Sequence, residues 1–336
     1  MGKFTRVLGL VSFLAVSLAG CGKPSALSTG VAEAYQSRTA ATTTKGVATW
    51  MLSEAQSEDL LYVSSSLGTS NWVVLALTYP QGKLVGTLTG FTQPKGICTD
   101  KKGNVFVANS GQQNIIEYAH AGTKPIATLG NTGGYPIGCA VDPTTGNLAV
   151  AIENPTVVVY KKARGFPTAY NDPEIGGFFY CTYDASGNLF ADGQGRRVPA
   201  VIDELVRGGK TLRELSLNTT INAGGGIQWA GKYLVVEDPR GREEHGADGP
   251  TSIDQFKIFG STGVLVKTIE LSDGKNDRNP GTGTEFWIEG SFIVSPRTRK
   301  HGVDMWRYPA GGNPVARFHD AFPYAVAISL ARNSSL

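Results

Sequence analysis

Pro94-Lys95-Gly96-Ile97-Cys98-Thr99-Asp100, followed after two residues by Gly103-Asn104-Val105-Phe106-Val107-Ala108-Asn109-Ser110, is the stretch that decides the fold. It recurs. Pro136-Ile137-Gly138-Cys139-Ala140-Val141-Asp142 leads over Gly146-Asn147 into Leu148-Ala149-Val150-Ala151. Phe178-Phe179-Tyr180-Cys181-Thr182-Tyr183-Asp184 leads over Gly187-Asn188 into Leu189-Phe190-Ala191. The shared aspartates are 42 residues apart, from Asp100 to Asp142 and from Asp142 to Asp184. Gly and Asn tolerate the positive φ of a tight hairpin, so such a pair between apolar runs reads as a turn joining two strands.

Each unit goes on to two further strands. Ile115-Ile116-Glu117-Tyr118 and Ile126-Ala127-Thr128-Leu129 complete one; Val157-Val158-Val159-Tyr160 and Thr168-Ala169-Tyr170 complete the next. Weaker copies turn at Gly231 and Gly290. Four short strands at this period are the spacing of β-propeller blades, and a Gly content of 43 in 336 residues, about twice the usual 7%, suits so many turns. The ends of the chain complement each other. Leu60-Leu61-Tyr62-Val63 matches the second strand of a unit, while Pro323-Tyr324-Ala325-Val326-Ala327-Ile328-Ser329 matches a first strand with nothing after it. The expectation is an all-β, six-bladed propeller over residues 57–331, closed by one blade that both ends share, with 332–336 as a tail.

The unit from Pro94 to Ser110 resembles the NHL-repeat class of six-bladed propellers, most sharply between residues 94 and 190. That resemblance implies a fold; it implies little about function. Propellers with lactonase-like activity carry acidic and amide residues around a metal at the channel mouth. Here the first strands open with Pro94, Pro136, Gly177, Gly225 and Pro323, leaving Glu285 as the acidic candidate. The repeated aspartates stand just before turns, where a carboxylate caps turn amides.

Residues 1–20 read as a signal peptide: Lys3 and Arg6 precede an apolar stretch from Val7 to Ala19, too short to span a membrane. Leu18-Ala19-Gly20-Cys21 resembles the lipobox of bacterial lipoproteins, which implies acylation of Cys21 and attachment to the cell envelope. Gly22 in place of Asp implies the outer membrane by the same resemblance. Residues 21–56, rich in Ser, Thr, Ala and Gly, read as a tether with a span of about 30 Å, whose end Trp50, Met51 and Leu52 could dock on the domain.

Three cysteines remain. Cys98 lies two residues before its repeat aspartate, whereas Cys139 and Cys181 lie three before theirs. Side chains alternate along a strand, so Cys98 and Cys139 point from opposite faces of adjacent blades and can meet. The expected pair is Cys98–Cys139, leaving Cys181 buried and free.

The unit that turns at Gly231 is longer than the others, since Gly231 and Gly290 are 59 residues apart. The extra length falls in two polar loops on one face. One carries Asp238, Arg240, Glu243, Glu244, His245 and Asp248; the other carries Asp273, Asn276 and Asp277. With Glu285 these are the candidate ligand-facing residues, because long loops on a rigid scaffold are common binding elements. Asp273-x-x-Asn276-Asp277 offers oxygen ligands for Ca²⁺, the one cofactor the sequence suggests. The four histidines share no metal-ligand spacing. Without Lys3 and Arg6 the formal charge of +3 falls to +1, too balanced for a nucleic-acid partner. The functional expectation is a monomeric, lipid-anchored binding or scaffold module for a protein or glycan. A lactonase-like or lyase-like enzyme with a metal in the channel is the alternative.

Overall fold

In the computed structural model the described residues are 47–68, 71–195, 200–238, 251–272, 285–297, 302–319 and 322–332. Among them the regular structure is β throughout, apart from short 3-10 turns such as Ser53–Gln56. No helix of these residues is long and apolar enough to cross a membrane.

The first sheet contains both ends of the described chain. Leu60–Ser66, Trp72–Thr78 and Leu84–Leu88 form its middle, and Pro323–Ser329 pairs antiparallel with Leu60–Ser66 on the inner side. Trp50–Met51 adds a fifth strand outside Leu84–Leu88. The last part of the expected tether therefore lies against this sheet.

The next three sheets follow the chain order, each with four antiparallel strands. The second runs through Pro94–Thr99, Val105–Asn109, Asn114–Tyr118 and Pro125–Leu129. The third runs through Pro136–Val141, Leu148–Ile152, Thr156–Tyr160 and Thr168–Asn171. The fourth runs through Ile175–Tyr183, Leu189–Gly195, Val201–Leu205 and the two-residue Arg213–Glu214.

The remaining strands make one larger sheet. Ile227–Ala230, Tyr233–Asp238, Thr251–Phe259 and Thr262–Leu271 form one half. Trp287–Glu289, Phe292–Arg297, Gly302–Arg307 and Gly311–His319 form the other. A single parallel contact, Leu271 opposite Gly312, joins their outer edges, and Ser216–Leu217 adds to the first half from outside.

Side-chain alternation explains the packing. Leu60 and Tyr62 point to one face of the first sheet, into a core with Ile97, Val105 and Val107 of the second. Leu61 and Val63 point to the other face, into a core with Val294, Val303 and Phe318. Both faces are buried, so the strand reads as an unbroken apolar run instead of a polar–apolar alternation. Further cores fill the spaces between successive sheets in the same way. The inner strands touch in sequence, from Pro323–Ser329 through Pro94–Thr99, Pro136–Val141, Ile175–Tyr183, Ile227–Ala230 and Trp287–Glu289, and the last again contacts the first.

Two glycines permit this close approach. A Cβ on Gly96 would sit 2.4 Å from the Ile137 carbonyl oxygen, and one on Gly138 would sit 2.7 Å from that of Phe179. Side-chain bonds link neighbouring inner strands. Thr99 Oγ1 donates to the Ile328 carbonyl at 2.9 Å, and Thr182 Oγ1 accepts from the Trp229 amide at 3.0 Å. The repeat aspartates cap their turns: Asp100 accepts from the amides of Lys102 and Asn104, and Asp184 from those of Ser186 and Asn188, all at 2.8 Å. Asp142 likewise accepts the Thr144 amide at 2.7 Å.

Candidate functional site

The ring of inner strands encloses an axial cavity of about 320 Å³. It opens at the end of the molecule where first strands turn into second strands. Thr99, Tyr183, Gln228, Trp229 and Trp287 line it towards the mouth, with Glu285 deeper. A wider cleft of about 590 Å³ adjoins it, sharing Thr99, Val141, Pro143 and Trp287 and reaching out to Lys101, Lys102 and Arg164.

Glu285 lies two residues before the short strand Trp287–Glu289 and is only 6% exposed. Its Oε2 accepts the backbone N–H of Ile97 at 2.7 Å, reaching from one inner strand region to another. Burial pushes its carboxyl well above the ordinary range; the Ile97 bond works against that shift, and the charge of Asp192 adds to it. Asp192, 1% exposed, is likewise pushed up by burial. Its two oxygens accept the amides of Tyr180 and Gly225, each at 2.8 Å. Buried Tyr180 and Cys181 are raised as well, first by burial and then by Glu285. A carboxyl in such surroundings is held as the neutral acid, because desolvation disfavours its anion.

Gln228, Asp184 and the indole of Trp229 are committed to the fold. Gln228 donates to the Ile288 carbonyl at 3.0 Å and accepts the Ile288 amide at 2.6 Å, joining two inner strands. Asp184 caps its turn. Trp229 stacks on Phe190 with ring centroids 5.8 Å apart, and its indole N–H donates to the Gly231 carbonyl at 3.0 Å. Trp287 packs against the apolar cores on both faces of the first sheet.

Of the residues expected on the ligand-facing loops, Arg240, Glu243, Glu244, His245, Asp248, Asp273, Asn276 and Asp277 lie outside the described residues, as does Cys21. Asp238 is fully buried, and its carboxylate takes the amide and the side-chain N–H of Asn222 at 3.1 and 3.2 Å. It does not face solvent. The strand ends that lead into these loops lie at the start of the inner strands, opposite the cavity mouth. Cys98 and Cys139 are bonded, with Cα atoms 5.6 Å apart, and Cys181 is buried and free.

Among the described residues, the donor set of the cavity does not suit a resident metal of the lactonase-like kind. Glu285 and Asp192 spend oxygens on backbone amides, and among the described residues no three His, Cys, Asp or Glu side chains are grouped to hold an ion. Residue reasoning missed Trp229, Trp287 and Tyr183 as cavity walls. Their signal was present: bulky aromatics occupy inner-strand ends where the earlier units place Thr99 and Val141.

No family model matches the chain, and no curated protein matches it. Solved structures do. A chain of a nidogen/laminin complex superposes with a TM-score of 0.62 at 14% identity, over 81% of this chain and 98% of that one. The fold is a β-propeller. A Kuenenia stuttgartiensis hydrazine synthase chain superposes on this propeller with a TM-score of 0.55 at 13% identity, covering 80% of it and 89% of the synthase chain. At these identities the likeness carries the fold alone.

Proposed function

We propose that the protein is a six-bladed propeller of the NHL-repeat kind, exported and held to the cell envelope through an acylated Cys21, that binds a protein partner. Six inner strands in a closed cycle of contacts support the blade count, with the joined outer edges of the last two blades as a local elaboration. The leader of residues 1–20 and its Leu18-Ala19-Gly20-Cys21 motif support export and anchoring. No step of catalysis is assigned to it.

The observation that carries the binding role is the adjoining pair of cavities at one end of the ring, of about 320 and 590 Å³, with aromatic walls and a rim that carries both cations, Lys101 and Lys102, and carboxylates, Asp100 and Glu289. A concave surface built on rigid strands and short turns is pre-organised, so little ordering cost opposes association. The propeller neighbour taken from a nidogen/laminin complex shows a structure of this shape within a protein assembly.

A photo-crosslinking side chain at position 102, on the cavity rim, should give one discrete adduct in cell-envelope extract. The same group at position 210, on the exposed outer turn of the fourth sheet, should not. Adducts of equal yield from both positions, or none from either, would overturn the assignment.

A further inference from the structure

Glu285 has a second feature beyond its bond to Ile97. Its Oε1 carries no hydrogen bond within the described residues, the side chain lines the axial cavity, and no described cation is paired with it. Burying a carboxyl without a counter-charge is costly, and here the uncompensated group sits at the inner end of an open cavity rather than in a sealed core. We propose that this inner end is a site for an alkylammonium group, borne either by a free amine or by a lysine of a partner protein.

Three observations select that chemistry. Trp229, Trp287 and Tyr183 wall the approach, and aromatic faces attract cations, most strongly where water is excluded. One Glu285 oxygen already accepts the Ile97 amide, so Oε1 is the oxygen without a partner among the described residues. A guanidinium fork matches two parallel oxygens, whereas an ammonium is satisfied by one. The amide of Gln228 and the carboxylate of Asp184 are engaged by backbone, so a polyhydroxylated sugar would find few partners for the hydroxyls it must desolvate. A cavity of about 320 Å³ accepts an alkyl chain of several carbons. When the ammonium enters, the Glu285 proton leaves to solvent and the resulting carboxylate pairs with the cation.

The test is calorimetric titration of the full chain with pentylammonium, Nα-acetyl-lysine amide and pentan-1-ol. Saturable binding of pentylammonium is expected, with the alcohol at least 10-fold weaker. Glu285→Gln keeps an oxygen for the Ile97 amide and should weaken ammonium binding at least 10-fold while leaving near-UV circular dichroism unchanged. Lysine amide binding as tightly as pentylammonium assigns the site to a partner's lysine; exclusion of the lysine amide alone assigns it to a free amine. Alcohol binding equal to the ammonium, no saturable ammonium binding, or a Glu285→Gln affinity within twofold of wild type would each overturn the proposal. The alcohol comparison needs no variant, so a misfolded substitution leaves the test intact. The ammonium site and the protein-partner reading are independent: the first is read with small probes, the second by crosslinking on the rim.

Discussion

Leu60 lies directly opposite Ser329, so the beginning and the end of the described chain form one antiparallel ladder. Ser329 also donates through Oγ to the Gly103 carbonyl at 2.7 Å and bonds His120 Nδ1 at 2.7 Å, tying the chain's last strand to the second sheet. Removing residues 322–336 would uncover the whole inner edge of Leu60–Ser66. The truncated chain should lose its cooperative thermal transition and self-associate on size exclusion. Ile328→Ala is milder: the side chain is 2% exposed within the core between the first and last sheets, and its loss should cost about 3 kcal/mol in urea unfolding.

The Cys98–Cys139 bond closes a loop with a sequence separation of 41. Constraining the unfolded chain over that length is worth about 4 kcal/mol in the chain-entropy account. The double variant Cys98→Ser, Cys139→Ser should therefore unfold at distinctly lower guanidinium concentration. A thiol assay on denatured wild-type protein should count two more thiols after reduction than before it, and equal counts would refute the bond.

Gly138 faces the Phe179 carbonyl and the Tyr180 Cα at distances that leave no room for a methyl group. Gly138→Ala must push the third and fourth inner strands apart, and a destabilisation of about 2 kcal/mol is expected from overpacking. Gly146→Ala, where nothing lies within 4 Å but φ is +74°, probes turn conformation instead and should leave the cavity unchanged. Comparing the near-UV spectra of Trp229 and Trp287 in the two variants would separate the effects.

Asp203 is fully buried, and its carboxyl is pushed up to about 8 by burial, then by the charge and the side-chain hydrogen bond of Asp172 and the charge of Glu214. A carboxyl raised on folding binds its proton more tightly in the native state. Its contribution is fully present below the ordinary carboxylate range near 4 and is lost as pH rises towards 8. Thermal stability of the wild type should fall across that interval. Asp203→Asn should flatten the fall and raise Tm at pH 9; a wild-type profile unchanged by the substitution would count against this reading.

The strand repeat and the pairing of residues 323–329 with 60–63 were legible in the sequence, because both rest on local periodicity. A turn glycine, an apolar run and a capping aspartate report on their own neighbourhood, and their recurrence counts the units. The joined edge at Leu271 and Gly312 was not legible, since it depends on how far two outer strands extend in space. The same holds for Asp238: on a polar stretch it reads as loop-facing, yet Asn222 draws it inward.

Composition and spacing thus set the β repeat, its turns, the complementary ends and the facing of Cys98 towards Cys139. Which side chains meet at the axis was decided only by closure of the ring. Trp229 comes from one repeat and Glu285 and Trp287 from the next, and no local pattern says how deep into a common channel each will sit. Depth governs solvation, and solvation turns an ordinary glutamate into a buried acid beside an open cavity.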